Sequence, residues 1–272
     1  MLPYGRSLAT TEATRMAREL ERHVALVTGA TSGLGKAIAV RLAREGAAVA
    51  VTGRRAEFLE GVVAELRAAG AKAVGIAGDA RDEAHAKAAV ETTVRTLGGL
   101  SILVNNAGVI GSGPIETTTT AEWDRLIDTD LKGPFFFCRA AIPALKAGKG
   151  SSVVNVCSVA GVRPYANLAP YCIAKAGLDM LTECLALELA PAGVRVNSIN
   201  PGVIVTNLHE ASKAVPDYPA FLERGKQTHP LGFVGAPEDA ADLVAFLVSD
   251  RARWITGAHH ALDGGRALTS LR

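Results

Sequence analysis

The sequence predicts an α/β fold, a single doubly wound parallel sheet of about seven strands with helices on both faces. Three observations carry that expectation. Short continuous apolar runs alternate with longer stretches of helical periodicity from residue 24 to residue 262. A glycine-rich loop joins the first run to the first helical stretch. No linker rich in Pro, Gly and Ser divides the chain, so the two domains that 272 residues suggest, at about 150 per domain, reduce to one.

The run Val24–Thr28 stops at Gly29. Apolar residues then recur at helical spacing over 34–45, and Gly46 closes the pattern as a C-terminal cap does. A second run covers 47–52, followed by a helix over 58–69 closed by Gly70 and a third run, Ala73–Ala77. The helical stretch Glu83–Leu97 ends at Gly98-Gly99, before a strand over 101–105. The four threonines 117–120 read as a loop before one long helix near 121–147, bent at Gly133-Pro134. Strands over 152–157, 194–199 and 259–262 alternate with helices over 171–190 and 238–248. Residues 1–22 read as an extension, disordered or helical, ahead of a domain over 23–272.

Composition excludes several classes. Twenty-nine basic against 27 acidic residues leave +2, too balanced for a nucleic-acid or membrane-surface partner. A chain this long buries about three quarters of its surface and needs no disulfide or metal staple. Cys138, Cys157, Cys172 and Cys184 show no CxxC spacing and read as small core residues of a reducing, cytoplasmic compartment. His259 and His260 are adjacent in a strand and face opposite sides, so no metal site is expected. Residues 1–22 hold four arginines, so an organelle transit peptide is the alternative to a cytoplasmic extension.

The loop Thr28-Gly-Ala-Thr-Ser-Gly-Leu-Gly35 has chemistry as well as shape. Gly29, Gly33 and Gly35 let the chain turn sharply and approach a phosphate with no Cβ in the way. The helix that follows offers unpaired N–H donors and a partial positive charge to a pyrophosphate, as in a Rossmann-type nucleotide site. An NAD site of this kind carries an acid at the end of the second strand. Here that strand ends Thr52-Gly53-Arg54-Arg55. Two arginines suit a 2′-phosphate through charge-assisted hydrogen bonds, which favours NADP(H); as solvated arginines opening a helix they would leave NAD(H) open. Lys36 is expected to turn outward.

Four further motifs in fixed order make the chain resemble the short-chain dehydrogenase/reductase family. They are Asn105-Asn-Ala-Gly108, Ser158, Tyr171-Cys-Ile-Ala-Lys175, and Pro201-Gly202 with Thr206. The likeness covers about residues 23–267 and is nearest the 3-oxoacyl-carrier-protein reductase-like branch, with Trp254-Ile-Thr-Gly257 and Asp263-Gly-Gly265 near the end. The resemblance implies the strand order 3-2-1-4-5-6-7. It also implies that Thr31, Ser32, Leu34, Asn106, Ala107 and Gly108 line the cofactor, that Asp79 and Ala80 contact the adenine, and that Pro201, Gly202, Val203, Ile204 and Thr206 hold the nicotinamide. Catalysis then falls to Ser158, Tyr171 and Lys175. A free phenol, with a pKa of about 10, is a poor base at neutral pH. Lys175 lies one helical turn on, and lowering that pKa by about three units takes about 4 kcal/mol of differential interaction. Ser158 would hold the substrate oxygen in line with Tyr171.

One position departs from the family. Where it often has Asn, the segment Asp128-Thr-Asp-Leu-Lys-Gly133 has Asp130, which loses an NH₂ donor and adds a charge. Either a backbone role survives the change, or ionised Asp130 weakens the hold of Lys175 on Tyr171. Residues 207–236 fall where the family has a substrate lid, with Leu208, Val215, Tyr218, Phe221 and Leu231 beside Lys213, Arg224 and Lys226; the apolar members face either a substrate or the inside of a short lid helix. Ile110, Val159, Arg163 and Leu168 are placed to border the pocket. The helix over 171–190 is apolar nearly all round and Phe135, Phe136 and Phe137 precede it, which in family terms implies a homodimer or homotetramer. The reading that follows is an NADPH-dependent reductase of a small ketone, 3-oxoacyl-like. A sugar or secondary-alcohol dehydrogenase is the alternative, and a non-catalytic dinucleotide sensor is a third, although such proteins often lose the Tyr or Lys that this chain keeps.

Overall fold

Seven strands make one all-parallel sheet in the computed structural model, which describes residues 19–208, 215 and 217–269. They are β1 (Val24–Thr28), β2 (Ala48–Gly53), β3 (Ala73–Ala77), β4 (Ile102–Asn105), β5 (Ser152–Val156), β6 (Arg195–Pro201) and β7 (His259–Leu262). The order β3-β2-β1-β4-β5-β6-β7 is the one the resemblance implied. Strands β1, β4 and β5 are buried almost throughout, which explains their unbroken apolar runs. The order reverses between β1 and β4, so the loops leaving those two strands open a crevice at their carboxyl ends.

Helices cover both faces. On one, α1 (Gly33–Arg44), α2 (Ala56–Ala68) and α9 (Pro237–Val248) bury Ile38, Leu42, Leu66 and Val244 against β1 and β2. On the other, α3 (Glu83–Leu97), α5 (Gly133–Ala147) and α7 (Ala169–Leu189) bury Phe137, Leu145 and Leu185 against Leu26, Leu103 and Val196. Gly46 and Gly70 follow α1 and α2 at φ +98° and +87°, and Gly98 caps α3 at +88°, so the glycines that close these patterns take left-handed turns. Leu20, 1% exposed, joins the first core and donates its N–H to the Glu45 carbonyl at 2.9 Å. Lys36 turns outward, to Glu65 at 2.8 Å.

The long helix expected over 121–147 is instead two. Helix α4 (Thr120–Ile127) runs into a wide π turn at Asp128–Lys132, and α5 starts only at Gly133, with Pro134 in its first turn. The break precedes the Gly-Pro pair, and it carries Asp130 inward. A short α6 (Val159–Val162) follows β5, and α8 (Tyr218–Thr228) precedes α9. The cysteines also need correcting. Cys138 and Cys157 are buried, and burial pushes the Cys138 thiol up to about 12. Cys172 is half-buried and Cys184 exposed, because α7 buries one side and leaves Met180, Cys184 and Leu187 outside. Among the described residues no helix is long and apolar enough to cross a membrane.

Candidate active site

The glycine loop fits a dinucleotide pyrophosphate. Gly29 and Gly33 take φ of +64° and +56°, and a Cβ on Gly29 would stand 2.6 Å from Ala107 Cα. A Cβ on Gly35 would strike the Asn106 amide. Ser32 starts α1 without a capping hydrogen bond from its side chain, so the first N–H groups of the helix face the cradle. Asn106 contributes from behind. Its Nδ2 donates to the carbonyls of Thr28 and Gly29 at 2.9 and 3.1 Å, while Thr28 Oγ1 accepts from the N–H groups of Asn106 and Ala107, both at 3.0 Å. Leu34 packs on the core, so only its backbone can serve the loop.

Arg54 is exposed at the end of β2, and the Arg55 guanidinium lies 3.9 Å over the Phe58 ring and donates to Thr31 Oγ1 at 3.4 Å. Asp79 stands near, but Arg81 grips its carboxylate, with the closest oxygen at 2.7 Å. That hydrogen bonding holds the Asp79 carboxyl below its ordinary range. Across the crevice, Thr206 Cγ2 would lie 3.4 Å from a Cβ on Gly33. The segment of Pro201, Gly202, Val203, Ile204 and Thr206 is held from its far side. Val203 donates its N–H to His229 Nε2 at 3.1 Å, and the Tyr218 hydroxyl binds Thr206 N–H and C=O at 3.1 and 2.8 Å.

Ser158, Tyr171 and Lys175 come together at the carboxyl end of β5. Ser158 caps α6, its Oγ accepting from Ala160 N–H at 3.1 Å, and it lies close enough to the Tyr171 phenol to favour the phenolate. Tyr171 and Lys175 share the buried face of α7, with Lys175 Nζ 5.7 Å from the ring centroid. Nζ donates to the Val156 carbonyl at 3.0 Å and lies 3.1 Å from Asp130 Oδ1. Asp130, fully buried, accepts Val109 N–H on both oxygens at 3.3 and 3.2 Å.

A sequence model described as Enoyl-(Acyl carrier protein) reductase matches residues 29–267. The chain belongs to the short-chain dehydrogenase/reductase family. It is 38% identical over 252 residues to cyclohexanol dehydrogenase of Acinetobacter sp. (strain SE19), covering 92% of this chain and 96% of that one. It is 39% identical over 250 residues to 2,5-dichloro-2,5-cyclohexadiene-1,4-diol dehydrogenase of Sphingobium indicum, covering 92% and 98%. A solved dehydrogenase/reductase from Sinorhizobium meliloti 1021 superposes with a TM-score of 0.84 at 37% identity, over 94% of this chain and 99% of that one. The protein is thus an oxidoreductase of alcohol and carbonyl groups that works with NAD(P)(H).

Electrostatics in this short-chain dehydrogenase/reductase refine one expectation. Lys175 draws the Tyr171 phenol down, as expected, but in the protein alone burial outweighs it and the phenol lies above its ordinary value. Burial pushes it up, Lys175 pulls it down, and Asp130 pushes it up again. Burial also raises the Asp130 carboxyl, against the pull of Lys175. The Lys175 ammonium resists the depressing effect of burial and ends above its ordinary value, with Asp130 the largest of the groups that hold it charged.

Around Tyr171 the wall is apolar. Ile110, Leu126 and Ala160 pack with it, and Leu168, Cys172 and Leu208 close the cluster. Val159 is buried nearby. Arg163 donates to the Arg266 carbonyl at 2.6 Å and lies over the Tyr165 ring. In the lid segment Phe221 stacks on Tyr218 within α8, Leu231 is 66% exposed, Lys226 pairs with Glu223, and Val215 is half-buried. Lys213 lies outside the described residues. Sequence reasoning missed Tyr218 and His229 as supports of the segment that carries Val203 and Thr206. It also missed Asp179, a carboxylate one turn past Lys175 on the buried face of α7, whose spacing was the available signal.

Proposed function

We propose that the protein interconverts a small, uncharged ketone and its secondary alcohol, with NADP(H) preferred over NAD(H) and reduction the better served direction. The observation that carries this reading is the convergence of Ser158, Tyr171 and Lys175 at the carboxyl end of β5, with the phenol in a buried apolar cluster whose burial favours its protonated form. Such a phenol keeps its proton at neutral pH and is suited to give it to a developing alkoxide. The bound nicotinamide supplies the hydride. Ser158 holds the carbonyl oxygen against Tyr171, and Lys175, charged, anchors the nicotinamide ribose and stabilises the phenolate left when Tyr171 gives up its proton. Asp130 restrains that charge. Gly29, Gly33 and Gly35 admit the pyrophosphate, Asp79 and Ala80 flank the adenine, and Arg54 and Arg55 meet a 2′-phosphate beside Thr31.

The apolar wall and the alicyclic alcohols named for two relatives support a cyclic secondary alcohol and ketone pair. A 3-oxoacyl ester belongs in the same test. Cyclic ketones, 3-oxoacyl esters, sugars and the matching alcohols are assayed with NADPH, NADH and their oxidised forms. Turnover of a cyclic ketone with NADPH supports the reading; turnover confined to sugars with NAD overturns it. Tyr171→Phe is expected to lower kcat/KM by at least about 10²-fold, the span of general acid catalysis, while NADPH still binds. Full turnover by that variant would sink the mechanism. Phe135, Met180 and Leu187 stand 41%, 58% and 79% exposed on α5 and α7, which supports a homodimer or homotetramer; a monomeric mass at micromolar concentration in light scattering would contradict it. The free thiols, two of them buried, fit a reducing, cytoplasmic setting.

A further inference from the structure

Beneath the turn that carries Ser158 lies a polar cluster to which the chemistry above gives no part. At its centre is Asp179, 7% exposed, one helical turn beyond Lys175. Its Oδ2 accepts from Asn200 Nδ2 at 2.7 Å, and its Oδ1 accepts from the Ser198 hydroxyl at 2.7 Å. His259 Nδ1 stands 3.1 Å from the same Oδ1 and 2.8 Å from Ser198 Oγ, and its Nε2 meets Glu183 Oε1 at 2.7 Å. These groups come from α7, β6 and β7.

Two contacts run from this cluster into the catalytic turn. Asn200 Nδ2, bound to Asp179, also donates to the Ser158 carbonyl at 3.2 Å. Gly161 presses α6 so closely on α7 that a Cβ there would stand 3.0 Å from Asp179 Oδ2. A buried carboxylate is costly unless its lone pairs are filled, and here the donors that fill them also hold the turn. Asn200 has two amide protons, and the structure directs one to Asp179 and one to Ser158.

We propose that Asp179 is a positioning residue: through Asn200 it fixes the backbone of Ser158 so that the Ser158 hydroxyl stays in register with Tyr171. This rests on the reading of Ser158 and Tyr171 as the pair that meets the substrate oxygen. Asp179→Asn keeps the shape of the side chain but sets an NH₂ donor against donors. A misplaced reacting group costs up to about 10²-fold in rate. The variant is therefore expected to lower kcat at least about tenfold, with the NADPH Kd, read by fluorescence, within about threefold.

The decisive experiment is a double-mutant cycle with Ser158→Ala, measured on the holoenzyme as kcat, ketone KM and NADPH Kd. If Asp179 acts through Ser158, Asp179→Asn loses most of its effect once the Ser158 hydroxyl is gone, falling below about threefold. An equal loss in both backgrounds overturns the proposal, because a merely structural role is additive. Ser158→Ala with unimpaired kcat overturns the reading of the site and this inference with it. Should Asp179→Asn fail to bind NADPH, Asn200→Ala, which removes the bridge and leaves the carboxylate, goes through the same cycle with the same two outcomes.

Discussion

Asp130 reaches Lys175 on α7 from the π turn, and Asp179 stands on α7 itself one turn beyond that lysine; both carboxylates are nearly sealed from water, at 0% and 7% exposure. Their partners differ. Asp130 faces a cation, Lys175 Nζ at 3.1 Å, with one backbone N–H besides and Arg125 farther off. Asp179 faces an amide, a hydroxyl and an imidazole at 2.7, 2.7 and 3.1 Å. A carboxylate set against an ammonium acts at a distance, since its charge reaches the Tyr171 phenol through a medium of low polarity. A carboxylate filled by hydrogen-bond donors acts by placing atoms. One residue type thus does electrostatic work at the front of the helix and geometric work behind it. The first should move pH profiles; the second should lower rates at every pH.

The largest effect outside the cluster tests whether charge in general, or only charge at Asp130, sets the profile. Arg54 and Arg55 carry two positive charges, but they stand at the far end of β2, beside Thr31 and Phe58. Replacing both with Ala is expected to weaken NADPH binding by about 10- to 100-fold, the worth of one or two charge-assisted hydrogen bonds, and to leave the NADH Kd nearly unchanged. Titration by fluorescence gives both constants. The limbs of the pH–rate profile should stay where they are. If they move with the arginines, Asp130 loses its special place.

How much of this could be read from the chain follows from distance along it. Gly29, Gly33 and Gly35 lie within one loop, and Tyr171 and Lys175 within one helical turn, so their spacing announces a cradle and an acid–base pair. The π turn at Asp128–Lys132 was illegible because apolar spacing runs on through Leu126, Leu131 and Phe136, hiding the break that turns Asp130 inward. The rear cluster was illegible for a different reason. Asp179, Asn200 and His259 are brought together by the pairing of β6 with β7 and the packing of α7 on β6, none of which local periodicity contains. Leu20 shows the same limit, since its burial depends on the turn after α1. Cys184 and Leu187 show the converse, apolar residues on a helix whose outer side the described residues do not cover.

The sharpest test of the contrast is Asp130→Asn, measured in both reaction directions with chemistry rate-limiting. The buried groups that face Tyr171 are Lys175 on its own helix, Asp130 from the π turn, and Cys157 and Ser158 from the end of β5. Arg125 from α4 and Asp179 act on these from the next layer. Of the charges, Asp130 is the one that raises the phenol and also occupies Lys175. Asn keeps an acceptor for Val109 N–H and removes the charge. The phenol pKa therefore falls. Alcohol oxidation needs the phenolate, so its acidic limb moves to lower pH; ketone reduction needs the phenol, so its alkaline limb moves the same way. Asp179→Asn, by contrast, should lower both profiles without displacing either limb. Limbs unmoved by Asp130→Asn, or moved by Asp179→Asn, would mean that the two carboxylates do not divide the work as their partners indicate.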